Sequence, residues 1–151
     1  PAGYIQPEGA PAPGYYVSQT ALHDPRWREH DPRRYFDAAA LPGFVMPARD
    51  LDSYRVRLGD VALVQWGARK IWAQAFDIGP AGKMLALSVQ ACYALGIPDC
   101  ARSGGVEDGV TITILPGSNR WFGRSPRPED IDEINRVGIA AARAVGLRIG
   151  N

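Results

Sequence analysis

The 151-residue chain is poor in the residues that usually mark metal, membrane or nucleic-acid chemistry. Its only histidines are His23 and His30, its only cysteines Cys92 and Cys100, and no C-x-x-C occurs, which argues against zinc or any other metal. No run approaches eighteen apolar residues, which excludes an expected membrane span. Neither sign of charge dominates: 17 Lys+Arg face 16 Asp+Glu, for a net charge of +1. Without a basic block, binding by phosphate neutralisation is not expected, and no nucleic-acid partner is predicted. The chain opens on Pro1 with no Met, basic stretch or apolar segment ahead of it, which fits a removed leader and a fragment equally.

What the chain has in plenty is glycine (17) and proline (13), so turns should be many and long helices few. Residues 1–14 hold four Pro and three Gly without periodicity and read as a flexible lead, leaving 15–151 as one domain. Tyr15-Tyr16-Val17-Ser18 reads as a first short strand. The charged, proline-broken stretch 23–37 reads as an irregular surface segment. Phe44-Val45-Met46, between Pro42 and Pro47, predicts a short strand, with prolines suited to an edge or to strand ends.

Residues 61–66 and 71–76 predict a hairpin about the turn 67–70, and the β-branched run 110–115 predicts another strand. Leu85, Val89, Cys92 and Leu95 recur at helical spacing before Gly96, which predicts a helix opening near 85–88. A second helix follows the acidic turn Glu129-Asp130-Asp132-Glu133, with Ile131, Ile134, Val137, Ala141 and Val145 on one face. The expected class is therefore mostly β with two helices (α+β). Cys92 and Cys100, eight positions apart, fit either a disulfide in an oxidising compartment or two small buried thiols.

The most informative segment is Phe76-Asp77-Ile78-Gly79-Pro80, followed by Gly82-Lys83. It places a carboxylate where a strand ends and the chain turns. Such a carboxylate sits on stiff backbone, as an acid–base group must. It equally suits an Asp that bonds neighbouring N–H groups to hold the turn. A phosphate-binding P-loop is excluded, because Asp77 and Met84 stand where it needs Gly and Ser or Thr.

Asp77-Ile78-Gly79-Pro80, then Lys83, Ser88 and Leu95-Gly96-Ile97, resembles the signature of glycoside hydrolase family 75, the chitosanases known mainly from fungi. The likeness continues through Gly104-Gly105-Val106, Gly109-Val110-Thr111 and Pro116-Gly117-Ser118, and upstream through Tyr15-Tyr16-Val17-Ser18 and Gly59-Asp60-Val61. It spans about residues 15–120. The Asp-x-Gly-Pro turn is also similar to double-psi β-barrel proteins, including lytic transglycosylases of the rare-lipoprotein type. Both resemblances imply a small six-stranded double-psi-like β-barrel whose groove holds a polysaccharide, and a secreted or periplasmic location.

The family resemblance implies hydrolysis of β-1,4-linked amino-sugar polymers by two carboxylates, with no cofactor. One carboxyl group protonates the leaving oxygen and the other activates water on the opposite face. The first maps onto Asp77. The second is a Glu nine positions later, where this chain has Ala86. Ala86 marks an engineered change, a natural loss of activity, or replacement by another carboxylate, for which Asp60, Glu107 and Asp108 stand near motif segments. The chain as it stands is expected to be inactive or slow.

Lys83 and Ser88 belong to the same motif and are expected to bind substrate. Trp121, beside Arg120, is the favoured sugar-stacking platform, with Trp66 and Trp72 as others. Arg102, Arg120 and Arg124 could face an anionic polymer, and a net charge of +1 does not favour polycationic chitosan. His23-Asp24 and His30-Asp31 lack a nucleophile motif and read as surface or turn pairs. The alternatives to a chitosanase-like enzyme are a peptidoglycan-cutting muramidase or lytic transglycosylase, as in an antibacterial toxin domain, and a non-catalytic polysaccharide-binding module. The oligomeric state is left open.

Overall fold

Eight regular elements organise the chain: β1 (Gly43–Pro47), α1 (Ala48–Ser53), β2 (Val61–Trp66), β3 (Arg69–Gly79), β4 (Ala86–Leu87), α2 (Val89–Leu95), β5 (Val110–Leu115) and α3 (Ile131–Ala144). They are seen in a computed structural model that describes residues 4–10, 13–83, 85–98, 108–123 and 130–150. Among these residues the molecule is a mixed α+β protein with one five-stranded sheet, in the order β4-β1-β3-β2-β5. β1 runs parallel to β3, and every other neighbour is antiparallel.

The predicted hairpin forms as β2 and β3, but with a tighter turn. Trp66 pairs with Arg69 and Gln65 with Lys70, so only Gly67-Ala68 remain as the loop. Gly67 takes a φ of 58°, the left-handed value that a two-residue hairpin turn requires at its first position. The 110–115 strand forms as β5, as its β-branched run predicts.

Each sheet face has its own cover, because alternate residues of each strand point to opposite sides. On one face, Ala91, Cys92 and Leu95 of α2 close over Phe44, Met46, Val64, Ala73 and Ala75. On the other, Ile134, Val137, Ala141 and Ala142 of α3 cover Val61, Trp72 and Leu115. α3 approaches closely at Gly138, where a Cβ would overlap the Trp72 ring. Beyond α3 on this second face, Leu22 and Phe36 pack on Phe76, the two phenyl rings stacked 4.3 Å apart, with Val45 and Leu41 alongside.

Several local expectations change. The helix predicted to open near Leu85 begins at Val89, because Ala86 and Leu87 pair with Val45 and Phe44 as β4. Ser88 is its N-cap, and Gly96 (φ 77°) ends it, with Ile97 N–H returning to Cys92 O at 2.9 Å. A third helix, α1, turns the chain after Pro47. β1 lies inside the sheet, with Pro47 at its end, where a missing N–H costs no ladder bond.

Tyr15–Ser18 form no sheet strand. Tyr16 instead bridges Ile5, and Gln6 N–H donates to Tyr15 O (2.8 Å) while Val17 N–H donates to Tyr4 O (2.7 Å). In α3, Ile134, Val137 and Ala141 are buried as predicted, but Ile131 and Val145 at the helix ends are exposed. The segment 23–37 has more order than expected. His23 bridges Tyr35, a short 3-10 turn forms at Pro32–Arg34, and the Arg33 guanidinium lies 3.7 Å over the Trp27 ring. Cys92 is disulfide-bonded; the chain's one other cysteine, Cys100, lies outside the described residues.

Candidate functional site: a cross-strand row at Asp77

β3 is the longest strand and does not stop at Asp77, as the turn signal predicts, but continues to Gly79, because its last residues pair with β1. A bulge opposite Phe44/Val45 shifts the register, so that Phe44 faces Ala75 and Val45 faces Asp77. On its other side Val45 faces Ala86 of β4. Asp77, Val45 and Ala86 therefore form one row across three strands, and facing residues share a side of the sheet. Leu87, one position on, turns to the opposite face and packs with the α2 core.

The row is open to solvent: Ala86 is exposed, and Val45 and Asp77 are half-buried. Asp77 Oδ1 accepts from the backbone N–H of Ala21 (3.1 Å) and of Ile78 (2.9 Å). Asp77 thus bonds neighbouring backbone, as the turn-holding reading expects. It clasps the incoming 18–22 segment, and its Oδ2 takes no hydrogen bond among the described residues.

Two residues further along the same strands, Pro47 faces Gly79. Here the chain opens a cavity of about 340 Å³, lined by Pro47–Asp50 and by Gly79, Ala81, Gly82 and Lys83. Gly79 lets β3 pack closely on β1, since a Cβ there would stand 3.1 Å from Val45 Cγ1. Gly82, at φ 90°, makes the turn that presents Lys83. Arg49, Asp50 and Lys83 border the cavity, and among the described residues none of their side chains makes an ion pair or hydrogen bond. Arg49 and Asp50 had no motif to announce them. They arrive because α1 packs the end of β1 beside the loop after β3.

Ser88 is close in sequence but committed elsewhere. It is buried; its Oγ accepts from Gly43 N–H (2.9 Å) and Ala91 N–H (3.1 Å) and donates to Leu41 O (2.8 Å). That hydroxyl fixes β1 against α2 and is not presented to a ligand. Arg120 and Trp121 sit together after β5, the guanidinium 5.8 Å from the ring and Trp121 37% exposed. The turn that carries them bonds Asp60, whose carbonyl accepts from Ala75 N–H of β3 (2.8 Å), but no hydrogen bond or ring contact joins Arg120 or Trp121 to the Asp77 row among the described residues. Trp72 is core beneath α3, and Trp66 is half-buried against the α2 core. Arg102 and Arg124 lie outside the described residues.

Of the carboxylates weighed as replacements at position 86, Asp60 is fully buried and bound on both oxygens. Oδ2 accepts from Arg57 N–H (2.9 Å) and Gly117 N–H (3.1 Å), and Oδ1 from Asn119 N–H (3.0 Å). Ser118 Oγ accepts in turn from Val61 N–H (2.8 Å). The Gly-Asp-Val and Pro-Gly-Ser motifs are thus two halves of one structural joint. Asp108 precedes β5 at the far end of the sheet, more than ~20 Å from Asp77 along the strands. Glu107 lies outside the described residues.

The histidine pairs resolve as turn residues. His23 Nδ1 lies 2.9 Å from Ala21 O, and Asp24 is held by Arg26. Asp31 caps the 3-10 turn, and its hydrogen bonds from Arg33 lower its carboxyl to a pKa of about 2. Among the described residues no group of three His, Cys, Asp or Glu could hold a metal, and no helix is long and apolar enough to cross a membrane. No family model matches the chain, and no curated protein matches it.

Proposed function

We propose that the chain is a glycan-handling protein of the two-carboxylate glycosidase type, built for β-1,4-linked amino-sugar polymers, with Asp77 retained and Ala86 in its partner's place. The observation that carries this reading is the row Asp77–Val45–Ala86. Two strand spacings separate the Cα atoms of its ends, about 9.5 Å, and the side chains of an Asp and a Glu on one face can set their carboxyl groups at or within that spacing. Carboxyl groups roughly 6.5–9.5 Å apart leave room for the water of an inverting displacement. A Glu at position 86 and Asp77 would face a sugar from either side of Val45.

In such a displacement one carboxyl group protonates the leaving oxygen while the other takes a proton from the attacking water. With Ala86 the second half is absent, so the chain binds glycan and turns it over slowly. General acid–base groups are each worth roughly 10²–10⁴-fold in rate. The same resemblance implies a six-stranded barrel, and the row itself lies on three strands of the five-stranded sheet. The disulfide at Cys92 supports a secreted or periplasmic setting.

The test is reducing-end release from chitosan and from purified cell walls. Ala86→Glu should raise the rate by roughly 10² or more. Adding Asp77→Asn should remove the gain. Asn keeps an oxygen acceptor for Ala21 and Ile78, so that variant separates chemistry from the clasp. No gain from Ala86→Glu on either polymer would sink the two-carboxylate account.

A further inference from the structure

The cavity beside the row carries an unbalanced charge that the proposed chemistry does not use. It starts two residues along β1 and β3 from Val45 and Asp77, on the same face of the sheet, about 7 Å away. Two cations and one carboxylate border it, and all three are without an ion pair or hydrogen bond among the described residues. Polycationic chitosan would meet Arg49 and Lys83 as like charges.

We infer that this cavity is a subsite for a carboxylate-bearing sugar, so that the polymer is an amino-sugar strand with acidic substituents, as in peptidoglycan, and not chitosan. The inference rests on the glycan reading of the Asp77 row and assigns its substrate class. Arg49 offers a planar fork matched to a carboxylate, and Lys83 a second positive charge from the facing loop. Asp50 accepts from sugar hydroxyl or amide groups. Pro47 and Gly79 add apolar lining against which a sugar ring would rest.

The experiment compares two probes on the full chain by calorimetry: soluble uncrosslinked peptidoglycan strands, and fully N-acetylated chitohexaose, which is neutral. Reversing both cations (Arg49→Glu with Lys83→Glu) should weaken the anionic strand by roughly tenfold or more, the scale of two exposed ion pairs. Binding of chitohexaose should stay within about twofold, and the loss should shrink at high salt. Both side chains are exposed, so the thermal midpoint should hold; the neutral pair Arg49→Gln and Lys83→Gln repeats the test with half the charge change.

Equal losses on both probes, or no loss on the anionic strand, overturn the subsite. A parent chain that binds chitohexaose but not the anionic strand overturns it too, and leaves the glycan reading standing. A parent chain that binds neither probe removes the glycan reading as well.

Discussion

Both oxygens of Asp60 are occupied by amides from two separate loops, so one buried side chain joins the start of β2 to the turn after β5. Removing it strands three N–H groups, each costing about 1–3 kcal/mol when buried without a partner. Asp60→Ala should therefore lower unfolding free energy by roughly 3–5 kcal/mol in urea titration. A change below about 1 kcal/mol would mean that the carboxylate does not hold the turn. Asp77 differs in kind, since one oxygen clasps Ala21 and the other takes no hydrogen bond among the described residues. From the sequence, Asp60 and Asp77 look alike, each a carboxylate beside Gly in a strand-edge motif. What separates them is the number of amides that converge on each from distant segments, which sequence spacing does not encode.

At the scale of elements, Gly138 tests how far packing overrides helix propensity. In an exposed helix Gly→Ala stabilises by up to ~1 kcal/mol. Here the added methyl would enter the Trp72 ring, and overpacking costs about 1–3 kcal/mol, so Gly138→Ala should destabilise. A raised thermal midpoint would show that α3 shifts freely over the sheet. The centre of α3 is legible in the sequence because local periodicity and burial agree there. Residues 85–88 are not, because Ala86 and Leu87 join a sheet whose partner strand lies some forty residues upstream. The strand ending at Asp77 is misjudged for the same reason: its continuation to Gly79 depends on parallel pairing with β1. α1 has too few residues for a periodic signal, and with it Arg49 and Asp50 stay hidden.

For the whole molecule, the disulfide at Cys92 is the covalent constraint on a chain otherwise tied by turns and a single sheet. A bridge from position 92 to 100 closes a nine-residue loop, for which chain entropy assigns about 2–3 kcal/mol. Reduction should lower the unfolding free energy by that amount, read as a shifted midpoint of chemical unfolding, without changing the fold's far-ultraviolet signature; an unchanged midpoint would leave the bond without a stabilising role. The two ends of the Asp77 row are also unequal in what the molecule risks by altering them. Position 86 stands exposed on a two-residue edge strand whose ladder is made by backbone alone, so Ala and Glu can exchange there with the fold indifferent. Position 77 is tied to the path of the first twenty residues, and drift there endangers folding before it touches chemistry. On the proposed two-carboxylate reading, a lineage of such chains gains or sheds catalysis by a single change at its rim, while the clasp at position 77 keeps the path of the chain in place.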